Sequence, residues 1–372
     1  GPTTSTLVPA IGSSGIFQNT GLAITFAEDV NAVTAKTIRI YKSSDAVNPV
    51  ETLNATDGVK SSFTFTYTIS PKLERATIYN VVIDEGAFVS VSGSNGFSGI
   101  TSGIWSFTTS DGPQLATRVP IHGATGVFAN TQLAVTFNET VTAAANKTLK
   151  VFRSTDQATA VHTLNAADGV ITGQTVTFTL PAKLDRATAY NVSIDAGAFV
   201  STVGSNDFEG SASSQWSFTT DAGPTATFEP TNASSNVAVT AQLRLSFSRD
   251  IDRAIAGKRI RVMNGSTAIV NLDVSSNGTL AARTYTLNAP TGNWPFGSQL
   301  EVLVDPGAFV DTDENDFEGV AAGEWRFSIV EAPDATAPAI NFTPIATTLE
   351  KNFSPVNISA TVTDNKTVVS TI

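Results

Sequence analysis

A single stretch recurs three times at a domain-sized spacing. Asp84 to Thr109 reads DEGAFVSVSGSNGFSGITSGIWSFTT, and it returns as DAGAFVSTVGSNDFEGSASSQWSFTT from Asp195 to Thr220 and as DPGAFVDTDENDFEGVAAGEWRFSI from Asp305 to Ile329. Phe88 recurs as Phe199 and Phe309, and Trp105 as Trp216 and Trp325. The spacing, about 110 residues, is far longer than the 20–50 residues of solenoid repeats, so each copy must close its own core. The register predicts three tandem domains, residues 1–111, 112–222 and 223–333, followed by the truncated start of a fourth at 334–372. The last piece opens with a strand and proline, and it is too short to close a sandwich alone.

Within each copy the apolar residues alternate. Leu22, Ile24 and Phe26 stand at every second position, matched by Leu133, Val135 and Phe137 and by Leu243, Leu245 and Phe247. This period of two puts one strand face on a core and the other towards water. Ile38/Ile40, Phe63/Phe65/Tyr67 and Tyr79/Val81/Ile83 continue the pattern, and Trp105-Ser-Phe107 closes the unit. Asp57-Gly58, Asp168-Gly169 and Asn277-Gly278 read as tight hairpin turns needing positive φ. About seven strands, turn signals between them and no long helical period predict an all-β chain of tandem Ig-like antiparallel β-sandwich domains arranged end to end. The Gly-Ala-Phe element follows a strand directly. Its glycine permits a sharp exit, and Phe88 and Phe97, with their counterparts, read as plugs under the core, with carbohydrate stacking as the alternative.

These residues resemble the bacterial Ig-like domains of surface-layer and adhesin proteins. The resemblance rests on Pro9, Leu22/Ile24/Phe26, Tyr79/Val81/Ile83, Gly86-Ala87-Phe88 and Trp105-Ser-Phe107-Thr-Thr109, and it covers residues 6 to about 330. In place of the family's Asp-x-x-Gly-Asn loop, the first two copies carry Gly93-Ser94-Asn95 and Gly204-Ser205-Asn206. The resemblance implies a non-catalytic stalk or adhesive segment of a secreted or cell-surface multidomain protein, holding a binding or anchoring domain away from the cell. The alternatives are an accessory region of a large secreted carbohydrate-active enzyme and a subunit of a surface-layer lattice.

Composition narrows the chemistry. With 22 basic and 33 acidic residues the net charge is −11, which argues against a nucleic-acid partner. No apolar run is long enough to insert into a membrane. The chain has no cysteine, which excludes a thiol nucleophile and fits secretion without disulfides. His122 and His162 are both in the second copy, and the first has Ile11 and Glu51 at those places. No nucleophile elbow, phosphate loop or zinc-type cluster occurs, so no enzyme is expected. The partner expected instead is a surface ligand, protein or glycan, engaged by a longer chain of which this is part. Gly1-Pro2 reads as a protease-cleavage scar. One loop stands out as a candidate Ca²⁺ site, with Asp311, Asp313, Asn315 and Asp316 supplying oxygen ligands. Oxygen ligands close together in a loop suit that ion, whereas the plainer reading is a solvated acidic loop; no other cofactor is expected. Short proline-containing linkers, at 110–117, 221–227 and 330–339, predict stiff connections.

Overall fold

The computed structural model of the protein describes residues 1–342 and 360–364. Residues 1–223 together with 313–315 form one compact unit, and residues 224–312 with the described residues from 316 onward form a second. The described chain is all strand and turn, with only 3₁₀ turns for helix, and it holds three separate apolar cores, one in each repeat.

In the first repeat the strands are β1 (Thr4–Val8), β2 (Ser13–Ile16), β3 (Leu22–Phe26), β4 (Val30–Ala32), β5 (Thr37–Lys42), β6 (Glu51–Asn54), β7 (Val59–Ser61), β8 (Thr64–Tyr67), β9 (Ile78–Ile83), β10 (Phe88–Ser90) and β11 (Ile100–Thr109). One sheet has the order β1-β3-β8-β7 and the facing one β2-β11-β9-β5-β6, while β4 and β10 make a short ribbon at one end. The other repeats have the same strand orders. The alternation seen in the sequence is the reason for the layering. Leu22, Ile24 and Phe26 are buried while Ala23 and Thr25 are only partly covered. β3 pairs with β8 so that Leu22 faces Tyr67 and Ile24 faces Phe65, bringing four inward residues side by side.

Three local expectations need correction. The first concerns the strand count and pairing. The opening segment breaks after Pro9 into β1 and β2, which join different sheets, and β2 runs parallel to β11, pairing Phe107 with Ser13 and Thr109 with Ile16. The break has a partner inside: Trp105 Nε1 donates to the Pro9 carbonyl at 2.8 Å, as Trp216 does to Pro120 at 2.7 Å and Trp325 to Pro230 at 2.8 Å. The second concerns the Asp-Gly pairs. Gly58 and Gly169 are extended, each following a 3₁₀ turn, and only Gly278 has positive φ. The hairpin reverses a few residues later, at Ser62, Gly173 and Ala282, which all have positive φ. Gly58 is required for space, because a Cβ there would lie 2.5 Å from the Tyr67 ring. The third concerns Gly1-Pro2. These residues are in register with Gly112-Pro113 and Gly223-Pro224, and all three prolines are buried, so the pair takes the place of a repeat element.

The Gly-Ala-Phe element behaves as expected. Gly86, Gly197 and Gly307 have φ near 70°. Phe88 packs 4.7 Å from the Phe26 ring, with Phe97 at 5.5 Å from the same ring, and both are buried. The corresponding rings of the other repeats are buried too, so these phenylalanines seal the core and are not available to a sugar. Most of the predicted fourth domain falls outside the described residues, of which Ala339–Phe342 pair antiparallel with Ala360–Thr363.

The aspartate that opens the recurring stretch fixes β9 to β5. Asp84 Oδ2 accepts from both the backbone N–H and the hydroxyl of Thr37 at 2.8 Å, and Arg39 reaches Oδ1 at 2.6 Å. Asp195 accepts the same two bonds from Thr148. Partial burial pushes both carboxyls up, but the threonine hydrogen bonds outweigh it and hold them below the usual carboxylate range. A depressed folded pKa gives stability that is fully present above the unfolded value of about 3.9 and is lost as pH falls through the lower folded value. Thermal melts from pH 7 down to pH 2 should therefore show the first two repeats losing stability below about pH 4. Asp84→Asn should lower the melting temperature at pH 7 and flatten that acid limb. An unchanged acid limb in the variant would assign the effect to other carboxylates.

Candidate functional site

The acidic loop of the third repeat begins at Asp311, whose carboxylate is buried against Arg249 at 3.1 Å. The two sister repeats explain this pairing. Ser90 donates to Glu28 at 2.6 Å in the first repeat, and Ser201 donates to Glu139 in the second. In the third repeat both members have changed: arginine replaces the glutamate and aspartate replaces the serine. The Asp311 charge is thus matched across the loop base by Arg249. Asn315 is fully buried, and its Oδ1 accepts from the Ala129 N–H at 3.2 Å. Asp313 and Asp316 are partly exposed, and Asp316 lies beside Gly307. Among the described residues no group of three or more His, Asp or Glu side chains is gathered around a common metal position.

His122 is exposed, and its Nδ1 accepts from the Ser217 N–H at 3.1 Å. His162 sits on an edge strand opposite Val151, partly buried, and burial pulls its pKa below the ordinary value.

The most elaborate polar cluster lies between the first and second repeats, inside the first compact unit. It is built on the Gly204-Ser205-Asn206 loop. Asn206 Oδ1 accepts the Gln18 backbone N–H at 2.8 Å, and the Asp207 N–H donates back to Gln18 Oε1. Gln18 Nε2 is held by the Leu73 carbonyl at 3.0 Å, and both Gln18 and Asn206 are buried. Around this pair Lys72 meets Asp207 at 2.7 Å and the Ser205 carbonyl at 3.2 Å, while Arg75 meets Glu209 at 2.9 Å. Arg75 also clamps the linker, donating twice to the Asp111 carbonyl at 2.7 and 3.0 Å. Gly204 leaves room for Phe17, since a Cβ there would lie 2.2 Å from the ring. The linker glycine, Gly112, is pressed against the Asp207 carbonyl.

The two ion pairs are partly exposed and contribute little each. The buried Asn206–Gln18 bonds matter more, because breaking one leaves a buried polar group unsatisfied. A joint of this composition is suited to holding one domain in a fixed pose on the next. The Gly-Ser-Asn loop does not reveal this role in the sequence, because its partner lies 188 residues away in another repeat. A signal was present nonetheless: Lys72 and Arg75 in the first repeat are met by the opposite charges of Asp207 and Glu209 in the second.

No curated protein sequence matches the chain. Among solved structures it is similar to the surface layer protein SbsC, domains 1–6, with 11% identity and a TM-score of 0.20, covering 100% of this chain and 58% of that one. A crystal structure with a xylogluco-oligosaccharide is 11% identical, with a TM-score of 0.25 and coverage of 88% and 60%. A putative membrane-anchored protein from Corynebacterium diphtheriae is 9% identical, with a TM-score of 0.24 and coverage of 90% and 92%. At these scores the superpositions carry no argument about function. The family comparison is of another kind: residues 1–109, 110–220 and 222–329 each match the model of the bacterial Ig-like domain. With three sandwiches of this topology and three successive matches, the chain belongs to the bacterial Ig-like domain family.

Proposed function

We propose that the chain is a non-catalytic, load-bearing stalk segment of a secreted or cell-surface multidomain protein, carrying a binding or anchoring domain away from the cell. The observation that supports this reading is the parallel pairing of the second and last strands of every repeat. β2 lies parallel to β11, residues 124–127 to 217–220, and residues 234–237 to 326–329. Each repeat is entered through its opening strand, which in the first is β1, antiparallel to β3; past Pro9 the chain continues into β2, and it leaves along β11. Tension on the two ends drives the paired segments past one another along their length. Their hydrogen bonds are then loaded together in shear, and no single bond is peeled ahead of the rest. A domain that only positions a neighbouring catalytic site has no need of that arrangement.

Single-molecule pulling on the whole chain tests the proposal. Three separate unfolding events are expected, each releasing roughly 350 Å, the extended reach of about 105 residues. A smooth extension at low force with no discrete events would contradict a load-bearing role.

A further inference from the structure

The loop of the first repeat that corresponds to the joint is open. Asn95 stands where Asn206 stands, Gly93 where Gly204 stands, and Ser94 and Ser205 share the same positive φ. The loop is closed in the same way, with the Ser90 N–H donating to the Asn95 carbonyl as the Ser201 N–H does to Asn206. Gly1 lies against the Gly96 carbonyl and Asn95, as Gly112 lies against the Asp207 carbonyl and Asn206. One difference is the fate of the side chain. Asn206 is buried on Gln18, whereas Asn95 is exposed and its amide makes no hydrogen bond among the described residues.

We propose that this loop is a socket for the end of a further Ig-like repeat joined ahead of Gly1, with Asn95 Oδ1 accepting a backbone N–H from that repeat. The donor it would meet is defined by the structure. It is the second residue of the open turn between β2 and β3, in which the Thr20 N–H bonds to the Phe17 carbonyl and the Gln18 N–H points outward. The second repeat has the same turn at Phe128–Thr131, and there Ala129 supplies the N–H to Asn315. Gln18 and Ala129 share only their backbone, so the socket reads the turn and not the side chain. The flanking charges set a second condition. Where the second repeat carries Asp207 and Glu209, the first has Gly96 and Ser98. The open socket therefore takes a repeat end without requiring the Lys72 and Arg75 pairing.

The inference rests on reading the Asn206–Gln18 contact as a joint, and the test separates the two. A further copy of residues 1–111, marked by Ile16→Val so that its peptides differ in mass, is joined ahead of Gly1 of the full chain. Amide hydrogen exchange is then followed at Gln18 in both copies. The Gln18 amide of the added copy should be protected at least tenfold relative to the same chain with Asn95→Ala in the acceptor repeat. In the chain without the added copy Asn95 is exposed, so Asn95→Ala made there should melt at the unaltered temperature. As the internal standard, Asn206→Ala should release the Gln18 amide of the original joint by a similar factor. If Asn206→Ala releases its amide but the added copy's Gln18 exchanges freely whether or not Asn95 is present, the socket is refuted and the joint stands. If neither amide responds, the joint reading fails and the socket with it.

Discussion

Trp105→Ala is expected to cost the first repeat about 3–5 kcal/mol, the usual range for deleting a large buried aromatic side chain. No part of Trp105 reaches solvent, and its ring shares a core with Ile24, Val81 and Phe107. The substitution empties the largest side chain of that core and also leaves the Pro9 carbonyl without the indole donor it has at 2.8 Å. That carbonyl sits at the break between the two opening strands, so the loss weakens both sheets at once. Calorimetry on the full chain should show one transition falling by on the order of 15–30 °C. The other repeats keep Trp216 and Trp325 in their own cores and should melt as before. A shift of less than about 1 kcal/mol would mean that the indole does not hold the two sheets together.

Gly99→Ala should be nearly as damaging, although it adds only one carbon. Gly99 has φ of +79°, and a Cβ would lie 2.6 Å from the Ile83 carbonyl oxygen and 2.9 Å from the Glu85 nitrogen. Both obstacles are backbone and cannot swing aside. Gly210 and Gly319 have φ of +95° and +93° and meet the corresponding backbone atoms at 2.8 and 2.5 Å. The left-handed conformation costs a non-glycine residue about 1–2 kcal/mol, and relieving the overlap adds roughly 1–3 kcal/mol. A loss on the order of 2–5 kcal/mol in chemical denaturation is expected. An alanine variant as stable as the parent would show that the loop has room the structure denies it.

The contrast between these glycines and Gly58 illustrates what was legible in the sequence. Period-two patterning placed Leu22, Ile24, Phe26, Tyr79, Val81 and Ile83 on inward faces, and the recurring tryptophan marked the core, because burial imposes a residue type at a spacing of two. Turn geometry was less readable. Asp57-Gly58 has the composition of a tight hairpin, yet its glycine is kept for space under Tyr67, and the reversal falls on Ser62. The parallel pairing of β2 with β11 depends on a break after Pro9 that strand patterning does not show. The Asp311–Arg249 pair was not legible either, because the sequence shows Asp311 without the arginine that faces it. Comparison of the repeats held the clue, since both members of the Glu28–Ser90 pair change together. The joint was hidden for the same reason: Asn206 and Gln18 meet only in the fold.

Side-chain chemistry holds the second repeat in a fixed pose on the first, beyond the tether of the linker. The chain has no cysteine, so two introduced thiols can be labelled without interference. Val47 in the first repeat and Val170 in the second are both largely exposed, and Val47→Cys with Val170→Cys places one spin label on each side of the joint. Pulsed dipolar spectroscopy on the full chain should then give a single narrow distance distribution. Adding Asn206→Ala, Lys72→Ala and Arg75→Ala should broaden it, because the buried hydrogen bonds and the clamp on Asp111 are gone while both cores remain. A broad distribution in the chain with the joint intact, indistinguishable from that of the triple variant, would contradict the account.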